Sequence, residues 1–417
     1  MTDIDSSNHM VKPALSKSAD VINRHGTDAE KYTLAHSLFG TEDVLPMWVA
    51  DQDLCTPAFV IDALKSRLEH PILGYTSASA QVYQAIIDWQ ARHHYHITQA
   101  HIVFTHNVAN GFYMAVQAFT RPGDAVLVQT PVYPPFLQAP IVHQRRLVSV
   151  PLVLSHSPQP RYHIDFEEFE QTIVQQNVKL FLFCHPQNPS GRVWLKDELE
   201  RIAAICLRHK VLVVSDEIHS DLLYPGHTHI PMASLSPAIA ANTVTLNSPG
   251  KTFNLGGLHI GYALLANPQH KAAYSQVTQG NAINNLNVFA YVALQAAYSA
   301  QGFTWKQQRL SEFANNINQV IAFFAEHFPT VNVMRPEASF LIWLDFSALF
   351  NEQSALKNWL VQHAKLGLND GQTFGHESGQ GFMRLNIAVP TATLNEALQR
   401  LQKAKLGLTL RFTASEN

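Results

Sequence analysis

The chain has no run of apolar residues approaching the about 18 that a helix needs to cross a bilayer. Its 417 residues include only three cysteines, Cys55, Cys184 and Cys206, with no C-x-x-C pair among them. The first absence excludes a membrane-spanning helix, and no membrane partner is expected. The second argues against a disulfide framework and a thiolate metal site and suits a reducing compartment. Basic charge is scarce as well: Lys and Arg total 29 against 32 Asp and Glu, for a formal net charge of -3, and the largest basic block is the pair Arg145-Arg146. That offers no field for a phosphate backbone, so no nucleic-acid partner is expected. The first ten residues, M-T-D-I-D-S-S-N-H-M, lack the basic and then apolar stretches of an export signal, which makes a cytoplasmic protein the expectation. Internal repeats and low-complexity segments are also missing.

Histidine, by contrast, is abundant at 22 residues. The clusters H-H-Y-H (93–96) and His227-Thr-His229 lack H-E-x-x-H spacing and a nearby carboxylate, so they are expected at the surface and not on a metal.

A hydrophobic share of 46% in a chain this long implies a large core and room for two domains. Between about residues 100 and 267, β-rich runs (102–106, 125–130, 179–185, 211–218, 243–248 and 261–267) alternate with amphipathic patterns at 108–119, 165–174 and 196–208. Near-continuous apolar strands between amphipathic helices predict an α/β fold, a mostly parallel sheet covered on both faces. Ligands of such sheets bind outside the carboxyl ends of the strands. Asn188, Asp216, His219, Ser248 and Lys251 all fall at or just after such ends. After about residue 305 the texture changes. A helix over 307–327, a strand at 340–346, a helix near 354–365, a strand at 383–389 and a closing helix at 391–405 read as a smaller α+β domain, with a Gly-rich loop between Gly371 and Gly381.

The stretch S-P-G-K-T-F-N-L-G-G (248–257) carries the central chemical question. A phosphate-wrapping Gly-Lys-Thr loop needs a further Gly at position 245, which is Thr inside a strand, and the S-x-x-K acylation pair lacks its S-D-N and K-T-G companions. A solvated loop lysine is the plain alternative. The surrounding residues favour a third chemistry, a lysine that carries pyridoxal phosphate as an imine. That cofactor is an electron sink whose ring nitrogen needs a buried carboxylate beside it. Asp216 closes an apolar strand and suits that role, with a helix N-cap as its alternative. Asn188 lies in H-P-Q-N-P-S-G and could donate to the ring hydroxyl, or form a plain turn. His219 could reach the same edge or be an ordinary polar residue. Tyr133, in the Pro-rich loop P-V-Y-P-P-F, could stack on a ring or pack in the core.

Six motifs then carry a resemblance: L-P-M-W-V-A-D (45–51), P-V-Y-P-P-F (131–136), H-P-Q-N-P-S-G (185–191), D-E-I-H-S-D-L (216–222), K-T-F-N (251–254) and F-M-R-L-N-I-A-V-P (382–390). In this order, from about residue 24 to 405, they resemble the fold-type I pyridoxal-phosphate enzymes, and more narrowly the cystathionine β-lyase (C–S lyase) branch of the class I/II aminotransferases. The resemblance implies an N-terminal segment (1–55) packing with the small domain, a three-layer cofactor-binding large domain (56–304) and a small domain (305–417). It implies that Lys251 anchors pyridoxal 5'-phosphate and moves the proton, that Asp216 pairs with the ring nitrogen, that Asn188 and His219 contact the ring hydroxyl, and that Tyr133 stacks. Ser248 and the backbone at Val108 and Ala109 would hold the phosphate. Tyr75 would reach the phosphate of a neighbouring subunit in a homodimer, and Arg384, with Asn188 and Ala50, would bind the α-carboxylate of a small amino-acid substrate. Four features depart from the pattern: Asn107-Val-Ala replaces a Gly-containing turn, Gln52 stands where Met is expected, N-L-G-G-L (254–258) replaces N-I-A-G-L, and His259 takes the place of an arginine that this branch also tends to lack. The implied reaction is release of a thiol, pyruvate and ammonia from an S-substituted cysteine. Transamination uses the same residues and stays open, and a cofactor-binding regulator with little turnover is the alternative from another class.

Overall fold

A strand that is apolar on both faces is stable only between two covering layers, and alternate residues must then enter different cores. In the computed structural model, which describes residues 21–414 apart from 158 and 284, seven strands form one such sheet. They are β1 (Ile102–Thr105), β2 (Ala125–Thr130), β3 (Arg146–Pro151), β4 (Val178–Cys184), β5 (Leu212–Asp216), β6 (Thr243–Asn247) and β7 (Gly261–Leu265). Their order is β1-β7-β6-β5-β4-β2-β3. From β3 across to β6 neighbours pair parallel, and only β7 runs antiparallel to its neighbours β6 and β1. Val126, Val128, Leu180, Leu182 and Val214 enter the core on one face, whereas Leu127, Phe181, Phe183 and Val213 enter the core on the other.

Six of these strands and the helices Val108–Phe119 and Lys196–Arg208 fall where the sequence pattern placed them. Two features differ. The edge strand β3 is half-exposed and carries no apolar run. The stretch expected as a Pro-rich loop is the helix Pro134–Val142, with Tyr133 at its N-cap. Prolines suit its first turn because the amides they lack have no acceptor there.

The second unit has a four-stranded antiparallel sheet of β8 (Asn332–Met334), β9 (Leu341–Asp345), β10 (Asn369–Asp370) and β11 (Phe382–Asn386), in the order β8-β9-β11-β10. Two long helices, Ala300–His327 and Thr391–Ala414, accompany it. The first starts earlier than its periodicity suggested, because the Ser299 hydroxyl caps it by accepting from Gly302 N; the position 304/305 lies inside it. The helix expected over 354–365 is α-helical over Gln353–Asn358 and then π-helical over Trp359–His363. Residues 45–54 of the N-terminal segment contribute to this core: Met47 and Leu54 pack with Phe313, Leu341 and Leu385, and residues 45–46 pair with 366–367.

His94 and His96 are exposed as expected, whereas His229 and His93 depart from the surface placement. His229 is fully buried and its Nε2 meets Glu217 Oε2 at 2.9 Å, while His93 Nε2 lies 3.2 Å from Asp221 Oδ1. Both carboxylates come from the segment after β5, too far along the chain for local spacing to reveal. Among the described residues no helix is long and apolar enough to cross a membrane.

Candidate active site

The strand ends converge on a cleft of about 260 Å³, lined by residues 107–109, Tyr133, Asn188, Asp216, His219, Ser248 and Lys251 among others. Several strand ends place them. Asp216 is the last residue of β5, Ser248 follows β6 directly, Tyr133 lies three residues past β2 and Asn188 four past β4.

Lys251 is half-buried in the turn after β6, and its Nζ donates to the Ala50 carbonyl at 2.6 Å. Burial, followed by the Arg384 charge, lowers its pKa to about 8, against the pull of Asp51 and Asp216. A base with a lowered pKa is neutral over a wider range, so the nucleophilic amine gains population as pH rises through about 8 instead of about 10.5. Acylation of Lys251 in the apoprotein by a small acylating reagent, followed by peptide mass analysis, is therefore expected to rise through about pH 8. A midpoint at the ordinary lysine value would show a freely solvated side chain.

Asp216 is buried and accepts a hydrogen bond from Ile218 N at 3.1 Å. A turn, not a helix, follows it, so helix capping is not its task. Burial raises its pKa to about 7, with Lys251 opposing. A carboxyl this reluctant to ionise is suited to a positively charged partner brought by a ligand. His219, also buried, is pushed down to about 3 by burial and then by Lys251 and Arg384. It is neutral at physiological pH, and its Nδ1 has no partner. Burial raises the Tyr133 pKa too, so its phenol stays protonated.

Arg384 sits in the middle of β11 and is 3% exposed. Its Nη1 donates to Asn188 Oδ1 at 3.0 Å and its Nη2 to the Trp48 carbonyl at 3.1 Å, with the Phe374 ring 4.9 Å away. Its Nε is buried with no partner, and among the described residues no carboxylate pairs with it. Burial lowers its pKa to about 10, which leaves it cationic at neutral pH. A buried cation without a counter-ion is costly unless an anion is delivered to it.

The helix Val108–Phe119 presents its N-terminus to the cleft, which Asn107, Val108 and Ala109 line. Asn107 caps it by accepting from Asn110 N at 2.7 Å, and the first-turn amides have no acceptor within the helix, an arrangement that suits an anion. Asn107 is extended at φ -164°, so this turn needs no glycine. The clearance comes instead from Gly261 in β7, where a Cβ would lie 2.8 Å from the Asn107 carbonyl carbon. The Ser248 hydroxyl donates to Ile260 O at 2.5 Å and accepts from Gly250 N at 2.9 Å, and the exposed His259 lines the same cleft.

Ala50 meets the cleft through its carbonyl. Tyr75 does not line it; the ring is fully exposed, near the exposed apolar residues Leu68, Ile72 and Leu73. Several contributors were not singled out from sequence. Asn386 Nδ2 donates to the carbonyls of Val49 and Asp51, so β11 holds the 48–51 segment through two side chains. Glu337 accepts from Arg161 Nε at 2.9 Å, Val193 N at 2.8 Å and Arg192 Nη1 at 3.4 Å. It ties the turn carrying Asn188 to the second unit. Gly191 at φ +72° packs on Pro336 so closely that a Cβ would approach within 2.6 Å.

A family model described as aminotransferase class I and II matches residues 49–401. The chain is 41% identical over 382 residues to "cystathionine beta-lyase PatB" of Bacillus subtilis strain 168, covering 91% of this chain and 97% of that protein. Among solved structures, cystalysin from Treponema denticola, which contains a pyridoxal 5'-phosphate cofactor, superposes with a TM-score of 0.90 at 31% identity, over 95% of this chain and 100% of that one. The PLP-bound C–S lyase from Staphylococcus hominis gives a TM-score of 0.85 at 30% identity, over 93% and 98% of the two chains.

Proposed function

Because the chain belongs to the class I and II aminotransferase family, we propose that it is a pyridoxal 5'-phosphate-dependent carbon–sulfur β-lyase acting on cystathionine or related S-substituted cysteines. The observation that carries this reading is the buried Arg384, which pairs with no carboxylate among the described residues and donates to Asn188, a residue lining the cleft that also holds the low-pKa Lys251 and the high-pKa Asp216. The similarity to PatB supplies the choice of a lyase.

The residues present fit the cofactor. A buried carboxyl whose pKa of about 7 lets it ionise beside a cation, an unpartnered His219 Nδ1 and a helix N-terminus supply the groups that a protonated ring, a ring hydroxyl and a phosphate call for. When bound, the cofactor supplies an aldehyde that joins amines and a ring that accepts electrons from the substrate Cα. Lys251 Nζ is the proposed covalent anchor. When free as an amine, Nζ would be the general base that removes the Cα proton, a task for which a pKa of about 8 is well matched. Arg384 and Asn188 would orient the α-carboxylate, and Asp216 would be the carboxylate that pairs with the ring nitrogen. Tyr133 would stack on the ring, and Ser248 with the amides of Val108 and Ala109 would hold the phosphate. A thiolate then departs from Cβ, and water converts the remaining fragment to pyruvate and ammonia.

Tyr75 supports a homodimer in this reading. Its exposed ring falls in a stretch with the exposed apolar residues Ile72 and Leu73, a surface that a second copy would cover, which supports a role for the tyrosine at a neighbouring site.

Incubation of the holoenzyme with cystathionine or another S-substituted cysteine is expected to release thiol and pyruvate in equal amounts with no added keto acid. Strict dependence of turnover on a keto acid acceptor would instead establish transamination.

A further inference from the structure

Lys251 is held at both ends by one short stretch of the N-terminal segment. Its Nζ donates to the Ala50 carbonyl at 2.6 Å, and its own main-chain carbonyl accepts from Gln52 Nε2 at 2.9 Å. The same amide reaches the Thr252 carbonyl at 3.2 Å. Contacts also run from the other side: Gln52 N donates to Asn254 Oδ1 at 3.0 Å, and Asn254 Nδ2 donates to the carbonyls of Gln52 and Leu54 at 2.9 and 3.1 Å. Gln52 is 2% exposed, and its Oε1 is buried with no partner. Turning the amide over would set that oxygen against two carbonyl oxygens, so the donor orientation is the favourable one. An unpartnered buried oxygen is a cost that an apolar side chain of similar volume would avoid. The amide is therefore explained by what its NH2 group holds.

The geometry points to Gln52 as a positioning residue of the reaction: its side-chain amide fixes the main chain of Lys251 so that Nζ, whenever it is not bonded to carbon, returns to the Ala50 carbonyl. The inference rests on the role proposed above for Lys251. A lysine side chain has four rotatable bonds, and a displaced main chain would let Nζ settle elsewhere. Misplacement of a reacting group by about 1 Å can cost on the order of 100-fold in rate. Because the clamp acts on the proton carrier and not on Arg384 or Asn188, it should govern turnover more than substrate binding.

In the holoenzyme, Gln52→Met keeps the volume and removes the donor. It is expected to lower kcat about tenfold while leaving KM within about twofold, the signature of an interaction that matters in the chemical step. In the apoprotein, the acylation midpoint of Lys251 is expected to move up from about 8, because an unclamped Nζ reaches water. Gln52→Glu is the second variant, for use if the Met variant fails to fold. Ionised, it donates nothing and should show the same loss of kcat; protonated at lower pH, it regains one donor and part of the wild-type rate. Variants that lose thermal stability but keep both kcat and the acylation midpoint would overturn the proposal, as would a rise in KM with kcat unchanged. If the wild-type protein releases no thiol from any S-substituted cysteine, the lyase reading fails, and the acylation midpoint still tests the clamp.

Discussion

Lys251→Ala is expected to abolish covalent retention of pyridoxal 5'-phosphate and to cut thiol release by at least about 1,000-fold, since anchor and general base are lost together. The structure supports so large an effect. Lys251 is the amine that lines the cleft, and its lowered pKa comes from its own burial and the Arg384 charge, which no neighbouring side chain can reproduce. The measurement is borohydride reduction of the holoenzyme, digestion, and location of the fluorescent pyridoxyl group by peptide mass. Wild-type protein should carry it on Lys251 and the variant on no peptide. Lys251→Arg separates the two contributions of the side chain, because it keeps a cation but offers neither a nucleophile nor a base at neutral pH. An adduct that persists in Lys251→Ala, or an Arg variant that turns over at the wild-type rate, would remove Lys251 from the mechanism.

Arg384→Met is expected to lower kcat/KM by roughly 30- to 5,000-fold, the range that follows from the about 2–5 kcal/mol cost of truncating one partner of a buried, hydrogen-bonded charge pair. Most of the loss should appear in KM, because the carboxylate contact exists before and after the chemical step. Arg384→Lys should rescue little: one ammonium cannot serve Asn188 Oδ1, the Trp48 carbonyl and a carboxylate in the fork geometry that the guanidinium provides. The discriminating comparison uses a thioether amine that lacks the carboxylate. Wild type and variant should process this analogue at similar rates, since Arg384 has nothing to grip in it. Equal losses with and without the carboxylate would mean that Arg384 only supports the fold around Asn188 and Trp48.

Much of the site was legible before any fold was known, for a physical reason that can be stated residue by residue. The strands ending at Asp216 and Asn247 are apolar on both faces, and a sheet covered on both sides places its polar ligand groups past the carboxyl ends of its strands. Asn188, Asp216, His219, Ser248 and Lys251 were identified on that ground, and all five line the cleft. The Pro-rich stretch after Tyr133 was misread because proline is a turn residue in most contexts and a helix starter in the one realised here. The strand over 146–151 escaped notice because an edge strand with one solvated face has no apolar run.

The chain by itself determined the alternation of strands and helices, the residues that close each strand and the set of six motifs, because side-chain periodicity and turn chemistry act over a few residues. Only the tertiary structure decided which of those residues meet. Gln52 touches the Lys251 carbonyl across 199 positions, Arg384 touches Asn188 across 196, and Glu217 rather than water receives His229. It also left Arg384 without a carboxylate and Asp216 reluctant to ionise, since desolvation and hydrogen bonding depend on distance in space and burial, neither of which a local window of sequence contains.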